Sequence, residues 1–140
     1  MLLKHLISGK VAATLALTCL ASAPAHAVFG SYWTNFTTVV VYPGTYGGCY
    51  ASLQTPLSAA GKGFRTGAGF CNDNYVAFNC EGLTNPSTGA ALNTKQEGQR
   101  KFDAAQLSLI TGNAAYVTVD DNIRLNGICY AKAVQTAIPQ

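Results

Sequence analysis

Histidine is missing from everything downstream of residue 27, because the two in the chain, His5 and His26, both fall before it. With them go the commonest general base and the commonest metal ligand. Charge is sparse too, at 11% of residues. No run of like sign occurs, so neither a basic nucleic-acid stripe nor a polybasic membrane patch is present. There is no C-x-x-C pair for a zinc site and no S-x-x-K to activate a serine. Past residue 27 no apolar stretch reaches membrane-spanning length. These absences argue against an enzyme, a cofactor, a metal site, a nucleic-acid partner and membrane insertion.

What is there begins with a leader. Lys4, His5 and Lys10 make a basic start, Val11 to Ala23 a short apolar run, and Ala25-His26-Ala27 a small-x-small cleavage site. Residues 1–27 therefore read as a signal peptide cut after Ala27, which sends residues 28–140 to the periplasm or outside the cell as one domain with a modest core. Loss of Lys4 and Lys10 brings the formal charge of +3 close to neutral. Of five cysteines, Cys19 belongs to the leader, where Thr18 fits a lipoprotein site poorly. Cys49, Cys71, Cys80 and Cys129 remain, and in an exported chain they read as two disulfides.

Ser31 to Tyr42, rich in Thr, Val and aromatics, predicts a first strand closed by Pro43-Gly44 and Gly47-Gly48. Cys49 to Gln54 alternates as a second, with Cys49, Ala51 and Leu53 on one face. Tyr75 to Cys80 is a third, with Val76, Phe78 and Cys80 sharing a face. Between them Pro56 to Gly69 reads as an exposed loop around Lys62 and Arg65, and Glu81 to Asn93 as another. Thr94-x-x-Glu97 is a capping box opening the one helix, which carries Phe102, Ala105, Leu109 and Ile110 at helical spacing and stops at Gly112. Ala114 to Val119 is a fourth strand. Asp120-Asp121-Asn122 and Asn126-Gly127 are turn signals around Ile123 and Leu125, and Ile128 to Ala137 is the last strand.

Strands and helix thus follow the order β-β-β-α-β-β, that of a five-stranded, OB-like Greek-key barrel. If the second and third strands are antiparallel, Cys49 and Cys80 lie about equally far from the loop centre, which favours pairings 49–80 and 71–129. Alternatives such as 80–129 stay open. Asp120 and Asp121 are adjacent carboxylates, but neighbours on a strand or turn point apart, so turn chemistry explains them better than catalysis or calcium. Asp73, within Asn72-Asp73-Asn74, reads as a loop former. Seven Tyr, six Phe and one Trp make the aromatics the most suggestive feature. Trp33, Tyr46 and Tyr50 are candidate ligand-binding rings, since such rings offer a flat apolar face and a polar tip to sugars. Arg65 is a candidate anchor for an acidic partner.

The segments Tyr75-Val76-Ala77-Phe78-Asn79-Cys80, Phe102 to Leu107, Tyr116 to Asp121 and Asn126-Gly127-Ile128-Cys129 resemble a group of small exported bacterial proteins of unassigned function. In layout and size the chain is similar to the OB-type B subunits of AB5 toxins, such as that of subtilase cytotoxin. That resemblance implies a pentameric glycan binder. The expectation is an exported, noncatalytic binding module for a glycan or a protein surface. A glycan site would show exposed Tyr or Trp beside Asn or Asp around a shallow pocket. The alternatives are a self-associating envelope protein, using Phe36 to Tyr42 as an edge strand of a homo-oligomer, and an enzyme inhibitor probing with the Pro56–Gly69 loop.

Overall fold

A computed structural model describes residues 28–136. The signal segment with its cleavage site, and Ala137 at the end of the last expected strand, lie outside the described residues. The chain runs β1 (Phe29–Thr34), β2 (Phe36–Tyr42), β3 (Gly48–Leu53), a 3-10 turn (Leu57–Ala60), β4 (Tyr75–Ala77), α1 (Lys95–Thr111), β5 (Ala115–Leu125) and β6 (Ile128–Thr136). It is mainly β with one helix, as read from the sequence. A five-stranded barrel was expected, whereas the structure has one sheet of six strands in the order β1-β5-β6-β4-β3-β2. All pairs are antiparallel except β4 with β6.

The extra strand comes from a division of the first one at Asn35. Tyr32, Thr34 and Phe36 are all buried, so a single period-two alternation runs through the break. Its two halves nevertheless pair at opposite edges of the sheet, β1 with β5 and β2 with β3. Thr34 is held at this corner by accepting the Thr55 amide at 3.1 Å. Because Asn35 alone joins the two edges, the sheet curls until they meet there. Among the described residues no pairing between β1 and β2 closes it.

Inside the curl lies the main core, where Cys49, Ala51 and Leu53 of β3 meet Val76, Phe78 and alternate residues Ala115, Val117 and Val119 of β5. The helix closes one end. Its capping box is formed, with Thr94 accepting the Glu97 amide and Glu97 reaching back to Thr94, and Gly112 ends it at φ 70°. Phe102 packs edge-on to Phe78, which in turn meets Phe36. Ile110, expected on the same face, is instead 82% exposed, because at about 100° per residue it falls on the outer side of the helix with the half-exposed Leu107, while Ser108 and Leu109 still meet the core. At Gly98 an added Cβ would sit 2.2 Å from the Asn79 carbonyl oxygen, so only glycine lets the helix lie against that backbone.

Two disulfides join Cys49 to Cys80 and Cys71 to Cys129, with Cα–Cα distances of 5.7 and 5.1 Å. They are the pairings favoured from the strand layout, and they fit an oxidising compartment. Each contributes about 2–4 kcal/mol on the usual scale. No helix among the described residues is long and apolar enough to cross a membrane.

Candidate functional site

On the outer face of β3 and β4, residues alternate away from the core, which turns Tyr50 and Tyr75 outward. The β2–β3 turn brings Tyr46 beside them. Gly44, Tyr46, Gly47 and Gly48 all have positive φ there, and Glu81 fixes the turn by accepting the Gly44 amide at 2.7 Å. A side chain at position 47 would meet Leu125 at 2.7 Å, so glycine is required. Tyr46 itself, at φ 56°, is held in a conformation that costs a bulky residue about 1–2 kcal/mol. Strain of this kind gathers at functional sites.

The result is a ladder of rings. Tyr42 meets Tyr46 at 5.9 Å between centroids, Tyr46 meets Tyr50 at 5.2 Å, and Tyr50 meets Tyr75 at 5.8 Å, each edge to face. Across from it stands the β5–β6 hairpin, whose Asn126-Gly127 turn has the two positive φ angles, 50° and 83°, of a tight hairpin. The Asn72 amide donates to the Gly127 carbonyl at 2.8 Å and so ties the preceding loop to the hairpin. Tyr46, Tyr50, Asn72, Tyr75 and Asn126 thereby line an open cavity of about 340 Å³. Tyr46 and Asn126 also border a second cavity of about 220 Å³, continued by Thr45, Leu83 and Pro86. No Asp, Glu, Lys or Arg lines either one. The hydroxyls of Tyr46, Tyr50 and Tyr75 and the amide of Asn126 make no hydrogen bond among the described residues. They are offered outward.

Tyr46 and Tyr50, expected from the sequence, are thus brought together, while Trp33 and Arg65 stand apart from them. Trp33 projects from β1 at the other edge of the sheet, 55% exposed, with its ring 5.2 Å from that of Tyr116. Arg65 is committed to Asp121. Its NH2 group lies 2.8 Å from Oδ1, while Nε and the main-chain amide donate to Oδ2 at 3.1 and 2.8 Å. Asp121 is not in a turn, as expected, but inside β5 and 1% exposed. It continues the alternation of Ala115, Val117 and Val119, which points its carboxylate inward, and the ladder with β6 shifts register just beyond it, between Asp120 and Arg124. Burial by itself would raise its pKa, but hydrogen bonds from Arg65 and from the Val28 amide hold it below the ordinary carboxylate range.

The Pro56–Gly69 loop is likewise less free than its composition implied, because Leu57 and Phe64 are buried and Arg65 is pinned. Asp73 serves that loop, accepting the Ser58 amide and hydroxyl at 2.7 Å each. Among the described residues no cluster of His, Cys, Asp and Glu could hold a metal ion.

A third cavity, also of about 340 Å³, lies between α1 and β6 and is charged, with Glu97, Arg100, Lys101 and Lys132 in its lining. Lys101 is buried, donating at 2.9 Å to both the Tyr130 hydroxyl and the Ala131 carbonyl. Burial pulls its pKa down to about 8 and pushes that of Tyr130 up to about 12. Lys101 and Tyr130 are engaged with each other, and Glu97 with the Thr94 amide.

The sequence signal missed Asn72, Tyr75 and Asn126. Tyr75 was detectable, since the alternation that sends Val76 inward must send its neighbour outward, onto the face of Tyr50. No family model, curated protein or solved structure matches the chain.

Proposed function

We propose that the chain is an exported, noncatalytic binding module for a neutral saccharide, held across the two adjoining cavities at Tyr46, Tyr50, Tyr75 and Asn126. The observation that carries this is the pairing of uncommitted tyrosine hydroxyls and an asparagine amide with an uncharged, aromatic lining. Sugar rings present C–H faces that stack on Tyr and hydroxyls that bond to amides and phenols. The absence of charge from both linings favours a neutral glycan over an acidic one. Two cavities sharing Tyr46 and Asn126 have the form of subsites for adjacent sugar units.

Topology adds support. Taking β1 and β2 as halves of one bent strand makes the order β-β-β-α-β-β, the layout of a partly open OB-type barrel. In such barrels oligosaccharides bind on the face of the second and third strands, between the first and last hairpin loops. The cavity here has β3 and β4 beneath it and the Tyr46 and Asn126 turns at its sides, which supports the same reading. A pentameric B-subunit role, implied by the resemblance to AB5 toxins, belongs to the same proposal.

A glycan array probed with the oxidised, exported protein tests the reading. Binding to neutral glycans that is lost in Tyr50→Ala, with the fold retained by circular dichroism, is expected. Binding unchanged in Tyr50→Ala, or no binding by the folded protein, overturns it. A second reading, self-association through β2, rests on that strand's place at the sheet edge with Val41 and Tyr42 more than half exposed. Light scattering across a hundredfold concentration range decides it, because a monomer throughout removes both self-association and the pentamer.

A further inference from the structure

The carboxylate of Asp121 does not answer to Arg65 alone. Its Oδ1 also accepts from the main-chain nitrogen of Val28 at 2.7 Å, and the Asp121 amide returns a bond to the Val28 carbonyl at 3.0 Å. Val28 is the residue immediately after Ala25-His26-Ala27, where the sequence places signal cleavage. Two unrelated observations, a cleavage pattern and a buried carboxylate, therefore meet at one nitrogen.

We infer that this nitrogen is an α-ammonium in the finished protein and that it forms a partly buried ion pair with Asp121. The step is hydrolysis of the Ala27–Val28 peptide by water, catalysed by an export-linked endopeptidase. The C–N bond breaks, hydroxyl goes to the Ala27 carbonyl carbon, and the nitrogen leaves as an amine that is protonated at neutral pH. A neutral amide donor becomes a cation at the distance of a charge-assisted hydrogen bond.

The charges around it balance. Arg65 and the new ammonium supply two positive charges, and Asp121 and Asp120 two negative ones, Asp120 standing opposite Phe29 in the β1–β5 register. Of the other charged groups nearby, Lys132 lies over the Phe29 ring at 4.9 Å and Lys62 packs its stem against Gly30. Both are exposed, while Asp121 is buried. Through this pair, removal of the leader locks the first residue of the domain to β5 and, by way of Arg65, to the long loop. The precursor has only the amide in that place. Maturation thus acts as a stabilising switch.

The test uses the whole 140-residue chain, exported by a bacterial host and recovered oxidised. Intact mass and N-terminal sequencing should give Val28 as the first residue. The rate of acetic anhydride labelling against pH should place its amine above the ordinary ~7.7–8.0 of an α-amino group. A form retaining Ala27 displaces the charge by one residue and should melt lower at pH 6.5. Because the amine's pKa is raised by folding, its contribution is complete below about 7.7 and disappears as pH rises through the folded value. The gap between the two forms should therefore close at alkaline pH. Asp121→Asn should return the amine to its ordinary range, and if that variant does not fold, the Ala27 comparison stands without it. A different first residue, an ordinary amine titration, or equal melting of the two forms overturns the inference.

Discussion

The Asp121 cluster and the tyrosine cavity are both polar sites on a small β-rich domain, yet their polar atoms are used in opposite ways. Around Asp121 both carboxylate oxygens are occupied, by Val28 and by three nitrogens of Arg65. Around the cavity, three phenol groups and one amide make no hydrogen bond among the described residues. The first arrangement holds strands and loop together and leaves nothing for a ligand. In the second the tyrosine rings pack against Ala77, Leu125 and Ile128, while their hydroxyls are presented to whatever enters. The charges at Arg65 and Asp121 serve the structure, and in the function proposed above the neutral aromatic surface would serve recognition.

That contrast can be broken from either side. Two effects of similar size should be the largest, and the first is Asp121→Ala, which strands the Arg65 guanidinium. Because Arg65 is 20% exposed and can turn to water, the loss is set at the lower end for a buried pair, about 3 kcal/mol. Urea denaturation should show it as a lower midpoint with an unchanged slope. Next, selective loss of the Cys71–Cys129 bridge, as a Ser pair, should cost about 2–4 kcal/mol. It should also weaken saccharide binding, because Asn72 and Ile128 in the cavity wall are the bridge's chain neighbours. Equal array binding by that variant would separate the bridge from the site.

A subtler change concerns Lys101. Its amine titrates near pH 8 in the fold against ~10.4 unfolded, so between these values the unfolded chain binds more protons and stability rises with pH. Lys101→Met should flatten that rise, read from urea midpoints at pH 7.5 and 10. Tyr46→Gly should change stability least. It forfeits two ring contacts of about 0.5–1.5 kcal/mol each and relieves about 1–2 kcal/mol of left-handed strain, so the net runs from about 1 kcal/mol gained to about 2 kcal/mol lost. Saccharide binding should nevertheless be lost, which is the sharpest form of the contrast.

Much of this was legible in the residues, and what was missed has a common cause. Period-two alternation placed Cys49, Ala51, Leu53, Val76 and Phe78 in the core, and the Thr94–Glu97 box and Gly112 bounded the helix, because these signals are local. The division at Asn35 was invisible because Tyr32, Thr34 and Phe36 keep one alternation while their strands change partners. Asp121 looked like a turn residue because Asp-Asp-Asn is turn chemistry. In the fold β5 runs on through it, so the alternation of Val117 and Val119 turns it inward, where the distant Arg65 and Val28 meet its carboxylate. Of the site, Tyr46 and Tyr50 stood out by type. Alternation already turned Tyr75 outward, but the pairing of β3 with β4 sets it beside Tyr50, and Asn126 joins them only through the closing of the last hairpin. Trp33 and Arg65 were plausible by type alone, and tertiary placement took both elsewhere.

The most direct measurement is an NMR titration of protein carrying labelled tyrosine and tryptophan rings, with galactose, glucose, mannose and N-acetylglucosamine as separate probes. The account predicts that at least one sugar shifts the Tyr46, Tyr50 and Tyr75 ring signals together and saturably, while the Trp33 indole stays still. Movement of Trp33 without the three tyrosines, or no saturable shift with any of the four sugars, would contradict it.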